Sequence, residues 1–148
     1  MSRPIVVVAD DDLPLLKAIG LRLEAAGFDV CLAQDGYMAV QAARRLHPDV
    51  MLLDVGMPAG DGFSVRERVC QLGTADGIEP PQFVYFSGSD TAARSDKRLG
   101  AYAFVRKPFD APALAAIVKG AASKRRERML ARSLRDTEAG HEIEWVGD

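Results

Sequence analysis

Short apolar runs alternate with amphipathic segments along the first 110 residues. The runs are rich in β-branched and aromatic residues and predict five strands, several of them buried on both faces. They cover residues 5–9, 28–33, 50–53, 83–86 and 103–105. The segments between them carry apolar residues at helical spacing and predict helices. These cover residues 13–26, 36–46, 63–72 and 91–99, and a last helix is predicted from 111 to 135.

Strands that alternate with helices predict an α/β fold with a parallel, doubly wound sheet of five strands and helices on both faces. Right-handed crossovers then place the carboxyl ends of all strands at one edge of the sheet. Ligands of such sheets bind at that edge, where the strand order reverses. The residues that directly follow the strands are therefore the candidates for chemistry.

Charged and hydroxyl side chains follow four of the five predicted strands. The first strand is followed by three aspartates, the third ends at Asp54, the fourth at Ser87, and Lys107 follows the fifth. If the first and third strands are neighbours, Asp10, Asp11 and Asp54 converge. Each like-charge pair at about 5 Å costs roughly 3 kcal/mol at an effective dielectric of 20. Such a cluster must take up protons, pair with cations or bind a metal.

Carboxylate oxygens are the ligands that Mg²⁺ or Mn²⁺ prefers. A carboxylate can also attack phosphorus as a nucleophile and form an acyl phosphate. Lys107 and Ser87 would then stabilise the transferred oxygens by charge and by a hydrogen bond. These groups together predict a phosphoryl-acceptor site. Asp12 and Asp61 are predicted to cap helices instead of binding a ligand.

Four segments in this order, each at the end of a strand, carry a resemblance to a known family. They are VVVADDD (6–12), PDVMLLDVGMPAGDG (48–62), FSGSD (86–90) and FVRKPF (104–109). The chain resembles the receiver domain of bacterial two-component response regulators over roughly residues 4–120. The resemblance implies the flavodoxin-like strand order 2-1-3-4-5, here with an extended C-terminal helix.

The resemblance also implies roles for the acidic cluster. Asp54 corresponds to the aspartate that is phosphorylated. Asp11 would bind Mg²⁺ directly, Asp10 would hold a metal-bound water, and the backbone carbonyl of Gly56 would complete the protein's share of the coordination. Lys107 corresponds to the lysine that pairs with the phosphoryl group. The small residue Gly56, with Ser89, predicts a phosphoryl site that is open to water.

The resemblance further implies a conformational switch and not an enzyme with a turnover of its own. Ser87 corresponds to the switch hydroxyl, and Phe104 to the aromatic residue that turns inward. The phosphoryl donor would be a histidine kinase or a histidine phosphotransfer protein. An unidentified downstream protein would read the surface formed by the 91–99 helix, the fifth strand and the last helix. The Lys107–Pro108 peptide bond would be cis.

The carboxy-terminal part of the chain has an unusual charge order. Between residues 119 and 135 lie seven basic residues and one acidic residue, whereas 136–148 hold five acidic residues and no Lys or Arg. We expect a receiver over 1–120 and a charged helical extension with a tail over 121–148, without a separate output domain. The extension is either a solvated helix end or a dimerising or partner-binding helix. Nucleic-acid binding is disfavoured, because no helix-turn-helix accompanies the basic run and the acidic tail offsets it.

Two other classes of protein use parts of this residue set. A phosphatase of the haloacid-dehalogenase type would use Asp10 and Asp12 as nucleophile and acid, but Leu13-Pro14 departs from that family's motif and the chain has no room for a cap. A flavodoxin-like carrier would need a hydroxyl- and glycine-rich phosphate loop where this chain has three acids.

The cysteine count and the apolar runs indicate the compartment. Cys31 and Cys70 are too few for a disulfide framework or a zinc site. No apolar run approaches the roughly 18 residues of a membrane span, and the start of the chain lacks the apolar region of a signal peptide. We expect a reduced, cytoplasmic protein without membrane insertion.

Overall fold

The computed structural model describes residues 2–88 and 100–147, with side chains through residue 138. Five parallel strands form one sheet in the order β2-β1-β3-β4-β5. The strands are β1 (Ile5–Ala9), β2 (Asp29–Ala33), β3 (Val50–Asp54), β4 (Gln82–Ser87) and β5 (Ala103–Arg106). The predicted class and strand order are confirmed, and each predicted strand is present with its ends shifted by one residue at most.

Helices cover both faces of the sheet. They are α1 (Leu13–Ala25), α2 (Gly36–Leu46), α3 (Gly62–Ala75) and α4 (Ala111–Gly147). Alternate residues of each strand point to opposite faces. Val6 and Val8 pack with residues of α1 and α4 in one core, while Val7 and Ala9 pack with residues of α2 and α3 in a second core. The sheet is therefore buried on both sides, which explains the continuous apolar runs of its central strands.

Aspartate side chains begin all four of the described helices, and at the last of them Asp110 accepts the backbone N–H of Ala113. Asp12, Asp35 and Asp61 accept the backbone N–H of Leu15, Met38 and Ser64, respectively. A carboxylate in this position satisfies a donor that the helix leaves unpaired, and its charge is favourable at the positive end of the helix dipole. The capping predicted for Asp12 and Asp61 is confirmed.

Two helix ends differ from the prediction by more than one residue. Helix α3 continues through Gly73 to Ala75, because the chain turns only at Gly77, whose φ of 69° suits a residue without Cβ. Helix α4 continues to Gly147, beyond the predicted end at Arg135. Among the described residues, no helix combines the length and the apolar character that a membrane span requires. The helix predicted over 91–99 and Ser89 lie outside the described residues.

A buried ion pair fastens α4 to the amino end of β3. The guanidinium of Arg125 donates to Asp49 Oδ1 at 3.1 Å and to the carbonyl of Glu79 at 3.0 Å. The other oxygen of Asp49 accepts the backbone N–H of Ile5 at 2.9 Å. Both charged side chains are almost fully buried, at 5% and 7% exposed. Arg125 is therefore part of the packed domain, and the expectation of a solvated helix end is wrong for this residue.

Candidate functional site

Three carboxylates meet at the carboxyl edge of β1 and β3. Ala9 pairs with Leu53, so that the next residues of the two strands, Asp10 and Asp54, lie side by side. Asp10 is fully buried, Asp54 is 8% exposed and Asp11 is exposed. One carboxylate oxygen of each of the three residues lies within 4.8 Å of the others. The structure thus brings together the acidic residues that the sequence placed at different strand ends.

Lys107 reaches this cluster from the loop after β5. Its Nζ lies 2.9 Å from Asp10 Oδ2 and 3.7 Å from Asp54 Oδ1. To reach them the side chain crosses the end of β4, where Nζ lies 4.7 Å from the ring centroid of Phe86. The ring face attracts the ammonium and supports its position. The Lys107–Pro108 peptide bond is cis, as the resemblance implies.

The surroundings of Asp54 disfavour its negative charge. Burial raises the pKa of this carboxyl above its ordinary value, against the lowering effect of the Gly56 backbone N–H, which lies 3.3 Å from Oδ1. The nearby negative charge of Asp10 raises the pKa further, whereas Lys107 lowers it. A carboxylate in this position is therefore stabilised by any additional cation at the cluster.

The chemistry of the donor set fits a hard divalent cation. Asp10, Asp11 and Asp54 offer only oxygen atoms, which suits Mg²⁺ or Mn²⁺ and not a soft metal. Asp11 and Gly56 are exposed and form the outer side of the cluster. A Cβ added at Gly56 would meet nothing within 4 Å. Solvent and small molecules can therefore approach the cluster from this side.

Gly36 contacts the β3–α3 loop, which carries Gly56, and the sequence analysis assigned no role to this glycine. The backbone N–H of Gly36 donates to the carbonyl of Pro58. A Cβ at Gly36 would lie 2.6 Å from the carbonyl oxygen of Ala59 and closer still to that of Gly60. The glycine directly after Asp35, the capping residue of α2, could have indicated such a contact, because the helix itself does not require glycine at its first position.

Ser87 and Phe104 lie on the strands next to the cluster. Asp54 pairs with Phe86, so that Ser87 is one residue further along the edge, and it is 8% exposed. Phe104 lies on β5, three residues before Lys107, and is half-buried. Its ring is tilted against that of the buried Tyr85, with centroids 6.3 Å apart. The structure thus places both predicted switch residues on adjacent strands at or near the edge.

Comparison with known proteins identifies the class that this fold and site define. The family described as response regulator receiver domain matches residues 6–119. The chain is 33% identical over 125 residues to the transcriptional regulatory protein PrrA of Mycobacterium bovis, and 34% identical to that of Mycobacterium leprae. These matches cover 84% of this chain and 52% of each relative. The chain therefore spans about half the length of the curated relatives it matches.

Solved structures give the same fold. The receiver domain of the Francisella response regulator 1452 is 26% identical, with a TM-score of 0.70 over 82% of this chain and 98% of that one. The CheY-like receiver domain protein of Methanospirillum hungatei JF-1 is 20% identical, with a TM-score of 0.73 over 86% and 99%. The chain belongs to the response regulator receiver domain family. Members of this family are switches of two-component signalling and not enzymes in the ordinary sense.

Proposed function

We propose that this receiver accepts a phosphoryl group on Asp54 from a histidine kinase or a histidine phosphotransfer protein. The observation that carries the proposal is the position of Lys107, whose ammonium lies between the carboxylates of Asp10 and Asp54. A nucleophilic carboxylate, a cation for the transferred oxygens and a cluster of oxygen ligands are then within a few Å of one another. This is the set of groups that transfer of a phosphoryl group to a carboxylate requires.

In the proposed reaction a carboxylate oxygen of Asp54 attacks the phosphorus of a phosphohistidine. An O–P bond forms, the P–N bond breaks, and its electron pair returns to the imidazole, which takes up a proton. The barrier is lowered mainly by position and charge, since the transferred group carries its negative charge on three equatorial oxygens. Lys107 supplies a positive charge for these oxygens, and the Ser87 hydroxyl supplies a hydrogen bond.

Asp10, Asp11, Asp54 and the backbone carbonyl of Gly56 are the groups that we propose to hold Mg²⁺ or Mn²⁺. The ion, when bound, supplies positive charge that offsets the carboxylates and the incoming phosphoryl group. The buried position of Asp10 and the exposed position of Asp11 fit an inner residue that orients the site and an outer residue that meets the ion. The open space at Gly56 fits an acyl phosphate that water can reach and hydrolyse.

The acyl phosphate would act as a switch through Ser87 and Phe104. Movement of the Ser87 hydroxyl towards the phosphoryl oxygens would change the end of β4, and Phe104 on the neighbouring strand would turn further inward. Phe104 has no hydroxyl, so its two positions differ only in burial. A phosphoryl group that interacts more strongly with one arrangement shifts the population towards it. A downstream protein would read the surface that results around β5 and α4.

Asp10 and Asp12 do not support the phosphatase alternative. That mechanism would need Asp10 as a nucleophile and Asp12 as an acid that reaches the substrate. In the structure Asp10 is fully buried and bound by Lys107, while the Asp12 side chain caps α1. Asp54, in contrast, has a side chain that is 12% exposed and lies 3.7 Å from the ammonium of Lys107.

The decisive experiment is incubation with acetyl phosphate and Mg²⁺, followed by intact mass measurement. We expect the mass of one phosphoryl group on the wild type and on Asp61→Asn, in which asparagine still caps α3. Asp54→Asn should show no increment. An increment that persists in Asp54→Asn would overturn the assignment. Turnover of a phosphomonoester that is lost in Asp10→Asn but kept in Asp54→Asn would favour the phosphatase.

We further propose that residues 1–120 are the phosphoacceptor domain and that 121–148 form a helical extension whose first part, with Ala121, Ala122 and Arg125 buried, is packed on that domain. The proposed compartment is the cytoplasm, where histidine kinases present their phosphoryl groups. Cys31 and Cys70 are unpaired, which fits a reducing compartment. Both are only half-buried at the border of the second core, and not fully buried as small core residues would be.

A further inference from the structure

We propose that Phe86 is a positioning residue for Lys107, whose ammonium it holds beside Asp54 when a metal ion occupies the acidic cluster. This inference rests on the proposed function, because it concerns the charge that Lys107 supplies to the transferred oxygens. Lys107 Nζ lies 4.7 Å from the ring centroid of Phe86. Three properties support the inference: the fixed place of the ring, the charge of the other groups that hold the ammonium, and the aromatic character of the contact.

The ring of Phe86 has a fixed place beside the proposed acceptor. Asp54 and Phe86 are partners in the register of β3 and β4, and the side chains of paired residues point to the same face of the sheet. Phe86 is fully buried in the core under α1 and α4. Phe109, two residues after Lys107, packs against it with the ring planes at 86° and the centroids 6.1 Å apart. The residues on both sides of Pro108 therefore contact one ring, which relates the position of their loop to that of Asp54.

The carboxylates that hold the ammonium are also proposed metal ligands. Nζ of Lys107 lies 2.9 Å from Asp10 Oδ2 and 3.7 Å from Asp54 Oδ1. A divalent cation at the cluster shares the negative charge of both carboxylates and repels the ammonium. The ring of Phe86 carries no net charge, so its attraction for the ammonium comes from the ring quadrupole and does not use these carboxylates. The contact with Phe86 therefore persists when the cluster is loaded.

The aromatic character of the contact distinguishes positioning from packing. A leucine at residue 86 would also cover the apolar stem of Lys107, but it offers no negative face to the ammonium. Such a contact is stronger when it is desolvated, and Phe86 is fully buried while the Lys107 side chain is 24% exposed. A comparable pair lies at the opposite end of β5, where Lys124 Nζ is 5.8 Å from the ring centroid of Tyr102. Both of these residues are exposed, so this pair serves as a control.

The first experiment measures the rate at which acetyl phosphate and Mg²⁺ phosphorylate the full chain. Pentafluorophenylalanine is placed at residue 86, because its ring has nearly the same shape but a face of positive instead of negative potential. We expect the rate to fall about fivefold or more in this variant and in Phe86→Leu. A pentafluoro variant that reacts at the wild-type rate would overturn the inference alone. A wild type that gains no phosphoryl mass, or an increment that persists in Asp54→Asn, would overturn the proposed function itself, on which this inference rests.

Tyr102→Leu provides the matched control for Phe86→Leu. It removes an aromatic ring from the ammonium of Lys124, and we expect the phosphorylation rate to stay within about twofold of the wild-type rate. An equal loss of rate in Tyr102→Leu and Phe86→Leu would contradict a specific role of Phe86. Urea unfolding of each variant shows whether it is folded. The pentafluoro variant leaves no cavity, so it tests the inference even if Phe86→Leu does not fold.

A spectroscopic measurement tests the contact without phosphorylation. Protons that lie over the face of an aromatic ring have resonances that the ring current shifts upfield. The chain has five lysines, and in a spectrum of ¹³C-lysine-labelled protein the Cε–Hε resonance of Lys107 is identified by its loss in Lys107→Arg. We expect an upfield shift in EDTA that remains at saturating Mg²⁺ and is lost in Phe86→Leu. A shift that Mg²⁺ abolishes would place the ammonium away from the ring in the loaded protein and overturn the inference.

Discussion

Lys107 binds Asp10 more closely than it binds the proposed acceptor. Its Nζ lies 2.9 Å from Asp10 Oδ2 and 3.7 Å from Asp54 Oδ1. The Asp10 side chain is only 1% exposed, whereas that of Lys107 is 24% exposed. A buried carboxylate without a cation is costly, since it has lost its water. Lys107 therefore stabilises the fold of the site in addition to any role towards a phosphoryl group.

Removal of the ammonium should destabilise the protein most when no other cation can replace it. We expect Lys107→Ala to lower the free energy of unfolding by about 1–3 kcal/mol in EDTA, less than for a fully buried pair because Lys107 is partly exposed. Saturating Mg²⁺ should reduce this loss, since the ion neutralises the same carboxylates. Urea unfolding under both conditions measures the difference.

Lys17→Ala provides the control for the charge, because Lys17 is exposed on α1. It should change the free energy of unfolding by no more than about 0.5 kcal/mol in either condition. An equal loss for Lys107→Ala with and without Mg²⁺ would show that the ammonium acts by packing and not by charge.

The contact of Gly36 with the β3–α3 loop leads to a second prediction. A Cβ at Gly36 would overlap the carbonyl oxygens of Ala59 and Gly60, which belong to the backbone and cannot rotate away. We expect Gly36→Ala to lower the free energy of unfolding by about 1–3 kcal/mol. It should also weaken Mg²⁺ binding measured by calorimetry, because the displaced loop carries Gly56.

Gly73→Ala is the matched control for this substitution. A Cβ at Gly73 would make an ordinary contact at 3.4 Å with the carbonyl oxygen of Ile78, and alanine favours the helix by up to about 1 kcal/mol. We expect unchanged Mg²⁺ affinity and equal or greater stability. If Gly36→Ala binds Mg²⁺ as tightly as Gly73→Ala does, the loop is not held by α2.

The third prediction concerns the ion pair of Arg125 and Asp49. Arg125→Ala should cost about 3 kcal/mol in unfolding free energy, because it leaves the buried Asp49 carboxylate with the weaker contact to Arg126 at 3.4 Å. The double variant Asp49→Asn/Arg125→Met should recover part of that loss, since it removes the buried charge and keeps apolar volume. Urea unfolding of the full double-mutant cycle gives the coupling energy.

Arg132→Ala removes a second arginine of the same helix. Its guanidinium lies 3.8 Å from Glu79 and is 44% exposed, and exposed pairs contribute about 0–1 kcal/mol. If Arg125→Ala and Arg132→Ala lower the free energy of unfolding by similar amounts, burial does not determine how strongly the Arg125–Asp49 ion pair stabilises the protein.

Cys70 should react as a thiol of unusually high pKa. Burial raises the pKa of this thiol, and the nearby Arg66 lowers it by a smaller amount. The thiolate is the reactive form, so a raised pKa means less thiolate at any given pH. We expect the alkylation rate of Cys70 by iodoacetamide to reach half of its maximum at a higher pH in the folded chain than in urea. Peptide mass analysis measures both profiles; a midpoint at or below that in urea would contradict the prediction.

The sheet and the acidic cluster were predictable because their signals are local. A continuous apolar run such as 50–53 marks a strand buried on both faces, and right-handed crossovers then fix the edge at which its last residue lies. Asp54 and Asp10 could be brought together once the resemblance supplied the strand order, because that order makes the first and third strands neighbours. The capping aspartates Asp12 and Asp61 were predictable from their place directly before helical segments.

Features that depend on distant contacts were not predictable. Asp49 and Arg125 are 76 residues apart, and the arginine lies in a charged run that is typical of a solvated helix. The role of Gly36 depends on a loop more than twenty residues away. The far end of α4 carries no proline or glycine pair that would stop a helix, so the expected end at Arg135 had no strong local basis. The Asp49–Arg125 ion pair and the role of Gly36 depend on tertiary contacts, and the end of α4 depends on cooperative helix extension.

Helix α4 continues without interruption from its contacts with the sheet to Gly147. Each residue turns the helix by about 100°, so that any group attached to its far end has a defined angle relative to the sheet. Insertion of one residue would swing an attached reporter about 100° around the axis, whereas insertion of seven would return it to within about 20° of its first direction. The direction of a domain fused to this end of α4 would therefore depend more on the helical phase of the junction than on the number of residues in it.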